Sequence, residues 1–176
     1  MLRSTLVIAT LLLSFSALAN DPLAGLPESV TKIHQALIAN DTCMKDLQDS
    51  NEIVDFKNGT KLYLVRCGQY AYNTSARGYL VTTGGDVTQV SVLTYNEITK
   101  GVEGSVDLMN MNYDAKTGAL STFAKSRGLG DCGGSSVSKV MVDKALEYVG
   151  VKTTEVRHKE ECDGKIDAWP VVFKQK

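Results

Sequence analysis

Val30, Ile33, Leu37 and Ile38 recur at three- and four-residue spacings, the pattern of one apolar helix face. Leu26-Pro27-Glu28 suits the start of that helix. Proline is tolerated in a first turn, and an acid there faces the positive end of the helix dipole. Asn40-Asp41 marks its end, and Asp41 or Thr42 suits the cap of a short turn carrying Cys43. From Ile53 onward the period changes to two. Lys61 to Arg66 and Arg77 to Thr83 predict strands, the second closing on the Gly84-Gly85 turn. Val87 to Tyr95 alternates as one strand, with Val90, Val92 and Thr94 on one side. Asp114 to Gly118 predicts a hairpin loop between strands at Ser105–Tyr113 and Ala119–Lys125. Ser136–Val142, Val151–His158 and Trp169–Phe173 are further strands, with a helical turn or strand at Lys144–Val149. The expected fold is α+β and mostly β. It has one N-terminal helix and an antiparallel sheet or partial barrel of about eight strands.

The first 19 residues read differently. Arg3 precedes an apolar run from Leu6 to Phe15, too short to span a bilayer, and Ala17-Leu18-Ala19 fits a cleavage site. Residues 1–19 are therefore expected to be a signal peptide, and residues 20–176 one disulfide-stabilised domain with no further membrane span. The expected location is the periplasm. The formal net charge is −1. Removing the leader removes Arg3 alone, leaving 18 basic and 20 acidic residues and a charge of −2. With no basic excess to neutralise phosphates, nucleic acid is not an expected partner.

An exported chain meets an oxidising compartment, so Cys43, Cys67, Cys132 and Cys162 are expected to form disulfides. Four cysteines allow three pairings. The sequential one, Cys43 with Cys67 and Cys132 with Cys162, closes the shortest loops. Each loop would contribute about 3.5 kcal/mol in the chain-entropy model.

The most tightly specified stretch is Arg127-Gly128-Leu129-Gly130-Asp131-Cys132-Gly133-Gly134. Its Gly-Asp-Cys-Gly-Gly core resembles the nucleophile segment of chymotrypsin-like proteases in which cysteine replaces serine. That chemistry needs a histidine base and an oxyanion hole. The candidates are Cys132 and His34, but His34 falls on the predicted helix. His158 follows the cysteine, the wrong order for that family. The even cysteine count favours a crosslink, so a cysteine-dependent hydrolase is the alternative and an enzyme is not the favoured reading. No metal-ligand spacing occurs, and no metal or cofactor is expected. Asn110 to Asp114 mimics the start of a calcium loop, but Ala115 and Ser121 stand where glycine and glutamate belong. Tyr63, Tyr70, Tyr72, Tyr79 and Tyr95 suit either an aromatic platform or cross-strand packing. Asn40, Asn58 and Asn73 match the N-glycan acceptor pattern.

Leu62-Tyr63-Leu64-Val65-Arg66-Cys67-Gly68 with Ala71-Tyr72-Asn73 resembles the first signature of the bacterial domain of unknown function 1176 family. Arg127 to Gly133 resembles the second, and Glu161-Cys162-Asp163-Gly164 with Trp169-Pro170 the third. The resemblance implies an exported protein of Gram-negative bacteria without an assigned activity. After Gly134 the chain departs from it. Ser138-Lys139-Val140-Met141-Val142 replaces an aromatic-rich strand, so no aromatic binding face is carried over there. The combined expectation is a non-enzymatic module that binds a protein or envelope component. Arg127 and Asp131, of opposite charge and flanked by glycines, suit bonds to each other and to the loop's own backbone; in the functional reading Arg127, Asp131 and Trp169 are its candidate recognition surface.

Overall fold

The computed structural model describes residues 23–45, 47, 51–56, 58–143 and 148–175. The expected leader, residues 1–19, lies outside the described residues, as do residues 144–147. The chain forms α1 (Glu28–Ala39), then β1 (Glu52–Asp55), β2 (Lys61–Gln69), β3 (Thr74–Val81) and β4 (Val87–Gln89). β5 (Val92–Asn96), β6 (Gly101–Ser105), β7 (Leu108–Met109) and β8 (Asn112–Asp114) follow. β9 (Ala119–Lys125), β10 (Gly133–Asp143), β11 (Tyr148–Lys159) and β12 (Val171–Lys174) complete it.

All the strand pairs are antiparallel. One sheet runs β1-β2-β3-β4 with β7 also on β3, and a second runs β12-β11-β10-β9-β8. β5 and β6 form a separate hairpin. The expected mostly-β α+β fold is what forms, as open sheets rather than a closed barrel.

The alternation of β2 and β3 places a core on each of their faces. Tyr63, Val65, Tyr79 and Val81 pack with Leu23 and Val30 on the helix side. Leu62, Leu64 and Leu80 pack on the other side with Val90, Val92, Leu108 and Leu120, where the hairpin and the second sheet close over them. A strand pair buried on both faces carries few polar side chains, which is why β2 reads as a nearly continuous apolar run.

Two expectations need correction. The helix does not bury Ile33, which is 40% exposed; Val30 and His34 are the buried residues. The buried line follows a strict four-residue step, and His34 is accommodated because its Nδ1 meets Tyr79 Oη at 3.1 Å. The helix does end as expected at Asn40, and Cys43 ties its far end to β2 through Cys67. Second, twelve strands form among the described residues where about eight were expected. Val87–Tyr95 is not one strand: β4 edges the first sheet and β5 leaves to pair with β6. Val90 and Val92 keep their common buried face across that break. Ser105–Tyr113 likewise splits, because β7 pairs with β3 and β8 with β9. Of the two readings of the tyrosines, cross-strand packing holds for the core pair and no single platform forms. Tyr63 and Tyr79 are cross-strand partners in the core, while Tyr70 and Tyr72 are exposed.

Candidate functional site

The loop of Arg127 to Cys132 joins β9 to β10. Two glycines, one in the loop and one at the start of β10, are required by geometry. Gly130 has φ +72° and Gly133 φ +132°, backbone that L side chains rarely adopt. A methyl group at Gly133 would also collide with the carbonyl oxygen of Ala124. The loop therefore turns back tightly, and Ser126 N donates to Cys132 O at 3.1 Å.

Cys132 is bonded to Cys162, as Cys43 is to Cys67, and no cysteine is free. The crosslink leaves Cys132 no thiolate. His34, the proposed base, lies on α1 bonded to Tyr79. The two are not assembled as a nucleophile and its base, so the hydrolase alternative has no machinery at these residues.

Asp131 organises the loop. Its carboxylate is fully buried and accepts from Arg127 Nε at 2.8 Å, from Arg127 Nη2, and from Gly164 N at 2.6 Å. The Arg127 guanidinium, helped by the Gly164 amide, holds the Asp131 carboxyl well below the usual carboxylate range. Arg127, whose side chain is 45% exposed, also donates to Cys162 O at 2.9 Å. Its own pKa is raised by the same carboxylate. Asp131, Cys132 and Cys162 bring ligand-type atoms within 4.8 Å of one another. The two sulfurs are bonded together and the carboxylate oxygens are engaged, so the trio does not fit a metal ion.

Residues 161–168 form an arch in which every residue is exposed. It is nevertheless pinned along its length. Lys159 Nζ donates to Asp163 Oδ1 at 2.8 Å, to Lys165 O at 2.9 Å and to Asp167 Oδ1 at 3.0 Å. At its end Trp169 is buried, its ring 5.0 Å from that of Phe123. Arg157 Nη1 donates to Trp169 O at 2.9 Å, and His158 N to Pro170 O at 3.1 Å. Between arch, loop and β9–β11 lies a groove of about 330 Å³ bordered by Phe123, Gly130, Arg157, Ile166, Ala168 and Trp169. Of the three sequence-derived residues, Trp169 borders this groove. Asp131 is buried behind the loop, and Arg127 lies half-exposed across the join between loop and arch.

Sequence reasoning missed the residues that hold this region to the first sheet. Asn73 Oδ1 accepts from Lys125 N at 2.8 Å and its Nδ2 donates to Lys125 O at 2.9 Å. Asn110 has φ +36° and bonds both Asn73 and the Phe123 carbonyl. Each asparagine stands beside a turn signal, but nothing local tells which distant strand it serves. Lys159 gave no signal either.

No solved structure matches the chain. The uncharacterised protein YpfG of Escherichia coli (strain K12) is 30% identical over 117 residues, which is 64% of this chain and 31% of YpfG. The matched region thus spans about a third of that relative. A family model for a protein of unknown function, DUF1176, matches residues 16–176. With that match over nearly its whole length, the chain belongs to the DUF1176 family.

Proposed function

We propose that the chain is an exported, periplasmic, non-enzymatic module that recognises a protein or envelope component through the groove beside the Cys132–Cys162 bond. The observation that carries this reading is the arch. Every residue of 161–168 is exposed, yet a disulfide, the Asp131–Gly164 bond and the three Lys159 bonds fix it. Such preorganisation lowers the ordering cost of binding. Ile166, 74% exposed within the arch, and Leu129, 55% exposed in the neighbouring loop, are apolar without a structural need to be. Two disulfides suit an oxidising compartment. The test is affinity capture from periplasmic extract with the mature protein and with Ile166→Asp. A partner retained by the first and lost by the second, at unchanged melting temperature, supports the groove. Repeatedly empty captures, or equal retention by both proteins, count against it.

A further inference from the structure

Ser121, Val137 and Glu155 share one register row across β9, β10 and β11, and Ala119, Lys139 and Lys152 share another. Ser136, Ser138 and Thr153 are buried in the intervening positions, so both rows stand on the outer face of the second sheet. α1 covers one face of the first sheet, but beyond the arch this face has no such cover among the described residues. Val137 is 38% exposed and Met141, in the same phase of β10, 49%. Lys139 and Lys152 are direct cross-strand partners, and both are exposed. Like charges directly opposite one another weaken a sheet, so the fold gives no reason for this pair.

Neither lysine forms an ion pair among the described residues. The Gln175 amide, turned to satisfy both its atoms, gives Lys152 Nζ a neutral acceptor at 3.2 Å and no counter-charge. Two carboxylates share the face, and both are engaged. Glu155 meets Arg157 Nε at 2.5 Å and Lys174 Nζ at 3.7 Å. Asp114, beyond Ala119 in the lysine row, accepts from Lys116 N and Thr117 Oγ1 within its own turn. The whole chain carries a formal −1, so the positive excess is local to this face. Ala119 and Ser121 are small and leave a shallow lane on β9 beside Val137. Three strands about 4.8 Å apart span roughly the 10 Å width of a helix.

We propose that this face docks an acidic amphipathic helix of a partner protein. The helix carboxylates meet Lys139 and Lys152, and its apolar side covers Val137 and Met141. An anionic bilayer fits less well, because both apolar residues are more than half covered by their neighbours and none on this face protrudes to insert. A second copy does not supply the helix: α1 holds one acid, Glu28, paired with Lys32, and buries its apolar side on its own sheet. The face lies beyond the groove and stands whether or not the groove binds a partner.

The test is an NMR titration of the mature protein with a synthetic amphipathic helix bearing leucine on one side and glutamate beside it. The control is the same helix with glutamine for glutamate. The glutamate helix is expected to shift the amide signals of Val137, Lys139 and Lys152 saturably, and the glutamine helix to bind at least about tenfold more weakly. Added salt should weaken the first and not the second. Lys139→Glu with Lys152→Glu should abolish binding of the glutamate helix. Lys139→Glu alone should raise the melting temperature, since it turns the like-charge pair into an opposite one. Signals indifferent to the glutamate helix, equal responses to both helices, or full binding by the double variant would each overturn the assignment. So would phosphatidylglycerol vesicles that sediment the protein while the glutamate helix leaves these signals unmoved.

Discussion

Asn110 Nδ2 donates to Asn73 Oδ1 across 2.6 Å, and the two asparagines, at the ends of the paired strands β7 and β3 of the first sheet, each bond the backbone of β9 in the second. Asn110 also donates to Phe123 O at 2.6 Å and accepts from Thr74 N at 2.9 Å. Its left-handed φ is one that asparagine tolerates better than most residues. Asn110→Ala should lose about 1–3 kcal/mol from unpaired groups and about 1 kcal/mol more from backbone strain. Asn110→Gly relieves only the strain. Urea unfolding should therefore rank wild type, then Gly, then Ala; an Ala variant as stable as wild type would show that the staple is not structural.

On the helix, Ile33→Ala should leave stability within about 0.5–1 kcal/mol of wild type, because Ile33 is 40% exposed. Val30, fully buried on the same helix, should lose about 1–3 kcal/mol on truncation to alanine. Thermal melts of the two variants decide which face packs.

His34 and Tyr79 make a pH prediction. Burial, opposed by a hydrogen bond that His34 donates to the Arg66 backbone and aided by the Arg77 charge, lowers the His34 pKa. Burial also pushes the Tyr79 hydroxyl up to about 12, so it stays protonated. A histidine whose folded pKa is depressed favours folding while neutral. Its contribution is complete above the unfolded value of about 6.5 and is lost as pH falls below it. Between pH 7.5 and 5 the wild type should lose more stability than His34→Gln, measured by urea midpoints. Parallel profiles would contradict this.

The loop around Cys132 makes a second test, of the same sign but at lower pH. Asp131 has a depressed pKa, so its stabilisation is present above the unfolded carboxyl value of about 3.9 and is lost as pH falls from there. Asp131→Asn should melt lower than wild type at neutral pH, and the gap should close in strong acid. Peptide mapping without reductant should show Cys132 joined to Cys162, and Cys132→Ala should cost about 2–5 kcal/mol. Rapid alkylation of Cys132 in native protein would refute the crosslink.

Gly133→Ala should be the most damaging single-methyl change in the loop. The added carbon meets the Ala124 backbone, which has no side chain to move aside. The expected readout is loss of soluble folded protein, whereas Gly164→Ala, with open space around it, should be tolerated at a cost of about 1–2 kcal/mol for its φ of +82°.

Local signals along the chain determined what depends on short spacings. The change of period from 3.6 to 2 separated α1 from the strands, and Asp114 with Gly118 set the β8–β9 hairpin, where Gly118 N donates to Asp114 O at 2.8 Å. Cysteine order and loop length favoured the pairing that the structure contains. Tertiary structure decided the rest, because it depends on contacts between residues far apart in the chain. Alternation alone cannot say that Val87 and Val92 serve different sheets, since both phases look the same until partners are assigned. Ile33 and His34 are adjacent, and only the position of Tyr79 selects the polar one for burial. Arg127 and Asp131, four residues apart and opposite in charge, could be read as bonding each other, as they do; that the Gly164 amide, 33 residues from Asp131, also meets its carboxylate was decided by the tertiary structure. Tyr95 and His158 became a stacked pair because β5 left the first sheet to pack on the second, an event with no trace in the residues around either one.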